Sequence, residues 1–332
     1  MHKVAIIGAG LMGRWHLATA RSLGAEVIAV VDPDIDAAKR LAARSPGAYA
    51  TDDLQAVLAQ GEVRVAHICS PLKTHREIAS SLIESAVHVF VEKPFTGTAA
   101  EAQDLLQRAD DAKVQLCPVH QYAFQSAMDQ AISLLPSLGP LRRLDMNICS
   151  AGAEGDPTRR SEVVADILPH PISILQRLRP DLIVNELSWT TQSSGPGELL
   201  AASRAEDLLI TIFISLNVRP TCFEIKLQGE LGGFELDGFH GFGIKRPGTL
   251  SRTTKIAAPF TRSARLLFKA SANLAGRALT NETAYPGLRA LTRRFYTSVY
   301  GGEPGLKPIP DEAILASARL RDLLSARLEQ MG

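Results

Sequence analysis

Residues Val87 to Phe95 read VHVFVEKPF. Val87, Val89 and Val91, with Phe90 among them, are β-branched or aromatic, which suits a strand buried on both faces of a parallel sheet. The run stops at Glu92-Lys93-Pro94. Proline cannot continue the ladder, and it restricts the backbone of the residue before it. In open parallel sheets, ligands bind outside the carboxyl ends of the strands. A charged pair held at such an end is therefore a place to expect chemistry. A solvated Glu-Lys turn closing a strand would have the same wording.

Outward from this strand, strand and helix alternate from residue 3 to about 119. Strands are expected at 3–7, 27–31, 63–69, 87–91 and 114–119. Helices are expected after the first strand and at 35–44, 54–59, 74–86 and 98–109. That alternation predicts an α/β fold, a doubly wound parallel Rossmann sheet. Between the first strand and the first helix lies Gly8-Ala9-Gly10-Leu11-Met12-Gly13. In G-x-G-x-x-G, the first glycine allows a tight turn, the second lets backbone approach a pyrophosphate, and the third lets helix and strand pack closely. The helix N-terminus then offers free N–H groups and a favourable dipole to the diphosphate. Asp32 follows the second strand, where an acid grips ribose hydroxyls, and Asp34 adds a second negative charge. A 2′-phosphate would be repelled there, so NAD is expected rather than NADP. Trp15 is read as core, with Leu11, Ala18 and Leu23 on its side of the helix.

The bulk numbers exclude several classes. The 332 residues are 45% apolar and 21% charged with a net charge of +1, which fits one or two globular domains and no nucleic-acid partner. Cys69, Cys117, Cys149 and Cys222 are far apart in sequence, and no histidine cluster has ligand spacing. No metal is expected, and reduced thiols suit a cytoplasmic protein. No apolar run reaches membrane-span length, and the first residues read as a strand rather than a signal peptide.

Three segments carry a resemblance. GAGLMGRWH, CSPLKTHREIASSLIESAVHVFVEKPF and HQYAF resemble the Gfo/Idh/MocA family of oxidoreductases. Its wording is a glycine-rich turn, then T-P-N-x-x-H, then G-K-H-V-x-x-E-K-P. The likeness covers about the first 125 residues. Leu72 stands where the family often has Asn, and Ala123 where an Arg often precedes Phe124. The resemblance implies cofactor contacts from the glycine turn, Ser70, Pro71, His75, Glu92 and Lys93. It also implies a sugar, nucleotide sugar, inositol or related polyol as substrate, and a homodimer or homotetramer. His120 and Tyr122 are further candidates for substrate contact.

After residue 120 the texture changes. A helix is expected at 127–135 and strands at 141–149, 182–192, 207–218, 221–228 and 231–237. Successive strands imply a large open, mostly antiparallel sheet, hence an α+β second domain spanning 121–332 beside a first domain of 1–120. A terminal helix is expected at 312–330. Within SEVVADILPHPISILQRL, residues 161–178, Ser161 is a candidate cap. Asp166 and His170 are four apart, as one helical face requires. The resemblance puts an Asp and a His of this spacing near substrate. Pro169 and Pro171 flank His170 and could kink that helix. Alcohol oxidation releases a hydride and a proton. His170 is the candidate base, Asp166 its orienting partner, and Lys93 the positive charge for a developing alkoxide. A cofactor-retaining enzyme giving net elimination or glycoside hydrolysis, and a non-catalytic NAD-binding protein, fit the same residues.

Residues 245–294 hold eleven Lys and Arg against a single acid, Glu282. Such a stretch serves as a solvated basic face, a grip on an anionic substrate, or a surface for a membrane or partner subunit.

Overall fold

The computed structural model describes residues 2–152, 156–249, 251–279, 282, 284–301 and 307–331. They form two units, Met1–His120 with Leu288–Arg319, and Gln121–Gly287 with Leu320–Gly332.

In the first unit the chain runs β1 (Lys3–Ile7), α1 (Leu11–Ser22), β2 (Glu26–Val31), α2 (Ile35–Ala42), β3 (Tyr49–Thr51) and α3 (Leu54–Ala59). It continues through β4 (Val65–Ile68), α4 (Leu72–Glu84), β5 (His88–Val91), α5 (Ala99–Asp111) and β6 (Leu116–Pro118). All six strands are parallel, in the order β3-β2-β1-β4-β5-β6. The chain order reverses between β1 and β4, and the strand ends there form the expected ligand crevice. β4 and β5 are buried throughout, as helices on both faces require. Side chains set several helix starts. Asp34 and Asp53 accept backbone N–H bonds at the heads of α2 and α3, and Thr98 with Glu101 makes a capping box on α5.

The second unit holds α6 (Ser126–Leu138), β7 (Leu141–Cys149), α7 (Pro157–Ile167), α8 (Pro169–Leu178), β8 (Trp189–Gln192), β9 (Glu198–Ala205) and β10 (Leu208–Ser215). β11 (Cys222–Gly229), β12 (Gly232–Asp237), β13 (Phe242–Pro247) and α9 (Arg252–Leu279) follow. Its sheet runs β13-β12-β11-β7-β10-β9-β8, antiparallel except for β7 beside β10. Burial alternates along β11, so Phe223, Ile225 and Leu227 enter the core while Glu224, Lys226 and Gln228 face out.

Several expectations need correction. The second domain does not run unbroken to residue 332. α10 (Leu288–Tyr300) and the first part of α11 (Asp311–Met331) fold with the first sheet, because α10 packs on α1. Trp15 is only half-buried. Gly13, His16, Leu17 and Ala20 form the inner face of α1 instead. Ser161 lies inside α7, whose cap is Asp156, accepting from the N–H groups of Thr158 and Arg159. β3, β9 and β13 carried too little alternation to be read as strands, and only 189–192 of the span 182–192 is one. Cys149 and Cys222, distant in sequence, are cross-strand partners on β7 and β11.

Two buried histidines tie stability to pH. The Gln115 N–H donates to His88 Nδ1 at 2.8 Å, so that nitrogen must be unprotonated. Burial, aided by the Arg64 charge, lowers His88 to about 4. Burial lowers His120 to about 4 as well. In the unfolded chain both rings protonate at their ordinary 6.5. Below that pH the unfolded state binds protons that the folded state does not. Their contribution is complete above pH 6.5 and is lost as pH falls toward 4. Calorimetry should show the thermal midpoint of wild type falling faster over this range than that of His88→Asn, whose amide oxygen can accept the same bond. Parallel curves for the two proteins would contradict this account.

Candidate active site

The turn between β1 and α1 is built for close approach. Gly8 has φ +102°, and a Cβ there would lie 2.7 Å from the carbonyl carbon of Cys69. A Cβ on Gly13 would sit 1.9 Å from the Gly8 oxygen, so strand end and helix touch through backbone alone. Gly10, by contrast, has open space where its Cβ would be. It is the N-cap of α1, with no side-chain cap and no acid in the first turn. The N–H groups of Leu11, Met12 and Gly13 head a helix whose end is left for an anion. Asp32 closes the crevice. Its Oδ2 accepts the Ala9 N–H at 2.6 Å and its Oδ1 the Asp34 N–H at 2.9 Å. These residues fit a dinucleotide: room at Gly10 for the diphosphate, and a carboxylate at the end of β2 for the ribose.

The neighbouring strand ends are clamped together. The Ser70 and Thr74 hydroxyls share a 2.7 Å bond, and Thr74 Oγ1 donates to the Pro71 carbonyl at 2.8 Å. His75 is buried, with Nε2 2.8 Å from the Ser70 oxygen and Nδ1 3.0 Å from the Pro94 oxygen. Its ring thus braces the turn after β4 against the turn after β5. The Lys93-Pro94 bond is cis.

Glu92 is buried and heads a chain of four side chains. His16 Nε2 is 2.9 Å from Glu92 Oε1, His16 Nδ1 is 2.9 Å from His67 Nδ1, and His67 Nε2 is 2.9 Å from the Tyr296 hydroxyl. An ionised carboxylate at Glu92 only accepts, so with both rings neutral a single direction of donation runs along the chain. His16 Nε2–H donates to it, and His67 Nδ1–H donates to His16 Nδ1. Tyr296 O–H then donates to His67 Nε2. Burial, reinforced by His16, holds His67 well below its usual range, and burial raises Tyr296 well above its own. Both therefore stay neutral, as this directional chain needs. The other Glu92 oxygen accepts the Lys93 N–H at 3.2 Å. Sequence reasoning singled out Glu92 but missed His16, His67 and Tyr296. His16 stands three residues after Gly13, a usable signal, whereas nothing near residue 296 points to strand β4.

Residues 2–120 match the family model described as oxidoreductase family, NAD-binding Rossmann fold. That model is the one for the Gfo/Idh/MocA family. The chain is 30% identical over 202 residues to an inositol 2-dehydrogenase of Mycolicibacterium gilvum, covering 59% of this chain and 57% of that one. It is 24% identical over 257 residues to the scyllo-inositol 2-dehydrogenase (NADP(+)) IolU of Bacillus subtilis, covering 72% of this chain and 77% of the relative. In fold it is similar to the UDP-N-acetylglucosamine 3-dehydrogenase GnnA from Acidithiobacillus ferrooxidans. The TM-score is 0.74 at 16% identity, over 100% of this chain and 99% of that one.

Beyond the segment that matches the family model, the second unit brings some candidates together and separates others. Tyr122 lies in a 3-10 turn, Gln121–Phe124, and its ring meets that of buried His170 edge-on at 4.7 Å. Tyr122 also packs edge-on against Phe223 of β11, centroids 5.2 Å apart. Pro169 and Pro171 do not unravel the chain around His170. They sit in the first turn of α8, where a missing N–H costs nothing. The helix boundary at Leu168 does fall between Asp166 and His170, and Asp166 is exposed where His170 is buried. His120, at the end of the first unit's strand region, is buried, and its Nδ1 has no hydrogen-bond partner among the described residues. Among the described residues, no three His, Cys, Asp or Glu side chains group as a metal ion would need.

Two glycine substitutions separate binding from folding. Gly10→Ala should leave the thermal midpoint unchanged yet weaken NAD by about tenfold or more in calorimetry, because its methyl enters the open diphosphate space. Gly13→Ala should lower both, since strand and helix must part. Equal NAD affinity in Gly10→Ala and wild type would place the diphosphate elsewhere. Tyr296→Phe should cost roughly 1–3 kcal/mol in denaturant unfolding, because it strands the buried His67 Nε2.

Proposed function

We propose that this protein is an NAD-dependent oxidoreductase that interconverts a hydroxyl and a keto group on a sugar, nucleotide sugar, inositol or related polyol. The observation that carries this reading is Lys93. It follows a fully buried strand at the crevice end of the sheet, and its own N–H is held by Glu92. A cation so placed next to a dinucleotide turn suits a developing alkoxide. The inositol 2-dehydrogenase and UDP-sugar dehydrogenase likenesses support the substrate class.

Gly8, Ala9, Gly10, Leu11, Met12 and Gly13 would hold the diphosphate, and Asp32 the ribose. Bound NAD supplies the hydride acceptor. Lys93 polarises the substrate hydroxyl and stabilises the negative oxygen as its proton departs. His170 takes that proton. The edge-on contact with Tyr122 restricts the His170 ring, so its nitrogen need not be oriented afresh in each turnover. Asp166 is the lesser contributor, because an exposed carboxylate is screened by water. Retention of the NAD charge preference follows from Asp32: a 2′-phosphate would meet its carboxylate directly.

A panel of inositols, sugars and nucleotide sugars, read by NADH absorbance, tests the reading. NADH should form in proportion to one class of polyol, and silence across the panel would sink it. Lys93→Met should lower kcat by about 100-fold or more with NAD affinity nearly intact. His170→Asn should lose a comparable factor, and Asp166→Asn less. NAD should bind tighter than NADP, and Asp32→Ser should narrow that gap. Tighter NADP binding by wild type would reverse the cofactor assignment.

A further inference from the structure

Helix α9 turns its apolar side outward. Its 28 residues, Arg252–Leu279, hold six cations and no acid. Ile256, Phe260, Leu267, Phe268, Leu274 and Leu279 are 70–88% exposed. Ile256, Phe260, Leu267 and Leu274 succeed one another at spacings of four, seven and seven residues, so they share one face of a helix. Ala264, Ser271 and Ala278 fill the gaps in that face. Phe268 and Leu279 widen it to an arc of roughly 140°. Lys255, Arg262 and Lys269 lie on the opposite side, and Arg252 and Arg265 border the arc on its two edges.

The polar side is the one that meets the body of the unit. Arg262 Nη2 donates to Glu235 Oε2 at 3.0 Å, and Asn273 Nδ2 to the His240 carbonyl at 2.8 Å. Arg277 donates to the His240 and Glu282 carbonyls at 2.9 and 2.8 Å. A cleft of about 500 Å³, bordered by Lys226, Glu235, Phe242 and Arg262, runs beneath the helix. Polar contacts therefore hold α9, and its apolar face contributes nothing to the core. A surface helix of a globular protein ordinarily does the reverse.

We propose that α9 is an interfacial helix that seats on an anionic phospholipid surface. The apolar arc enters the boundary between headgroups and acyl chains, and the bordering arginines lie level with the lipid phosphates. Three observations favour this occupant. No described helix is long and apolar enough to cross a membrane, so α9 lies on the bilayer rather than through it. The arc is wider than the strict two-in-seven seam that pairs two helices. Arg252 and Arg265, on the edges of the arc, attract anionic lipid, and a helix with six cations and no acid repels a second copy of itself.

The test uses the full chain and vesicles, and it needs no substrate. The protein should co-sediment with phosphatidylcholine vesicles that contain phosphatidylglycerol. Its partition into pure phosphatidylcholine should be weaker by about tenfold or more. Phe260→Glu with Leu267→Glu should abolish co-sedimentation. Both positions are exposed, so NAD affinity and the thermal midpoint should be unchanged. Arg252→Glu with Arg265→Glu should weaken binding only where phosphatidylglycerol is present. No co-sedimentation of wild type, or binding that survives the Phe260/Leu267 pair, would overturn the proposal. So would a dimer in light scattering that the Phe260/Leu267 pair dissociates while wild type ignores vesicles; the face would then join two copies of this chain.

Discussion

A carboxylate buried at the end of β5 sets the terms for the first unit. A charge removed from water must be hydrogen-bonded or paired, or the structure rejects it. Glu92 meets this demand with His16 from α1, and that ring in turn needs His67 from β4, which needs Tyr296 from α10. One acid thereby ties together a strand end, the nucleotide-binding helix, a central strand and a helix that arrives almost two hundred residues later. The direction of donation is uniform along the chain, so each member has one usable tautomer. Lys93 inherits this rigidity through its N–H bond to the same carboxylate. The return of residues 288–319 to the first unit supplies the terminal donor of the array, as well as an apolar cover for α1.

Backbone contact does for the cofactor turn what side chains do for Glu92. Gly13 and Gly8 approach so closely that no Cβ fits, and Gly10 keeps an empty space where a Cβ would be tolerated. The two kinds of glycine thus answer different demands, one from packing and one from the ligand. His75 extends the same frame, holding the turns after β4 and β5 through carbonyl oxygens.

The second unit solves a different problem. Its sheet buries one side of each strand, and its α8 carries His170 against Tyr122 and so against the Phe223 core contact. α9 stands apart from that economy, because its polar side faces the protein and its apolar side faces outward. Hydrophobic periodicity reports that a helix has two faces. It does not report which face its own chain will use.

Much of the fold was legible in local pattern. The alternation of strand and helix, the glycine spacing, the position of Asp32 and the Glu-Lys-Pro stop depend on neighbours within a few residues, and a sequence displays those directly. The proline-flanked His170 was ambiguous, because Pro169 and Pro171 break a helix interior and yet suit a first turn, and the helix start decides between them. By itself, then, the sequence determined a Rossmann unit with a dinucleotide turn, a lysine at a strand end, and an amphipathic cationic segment. Only the tertiary structure decided what joins Glu92, since His16, His67 and Tyr296 meet through the winding of the sheet and not through spacing. It also decided that α10 completes the first unit, and that the apolar face of α9 points away from the core. Those outcomes rest on long-range packing, which assigns partners to residues whose local sequence is silent about them.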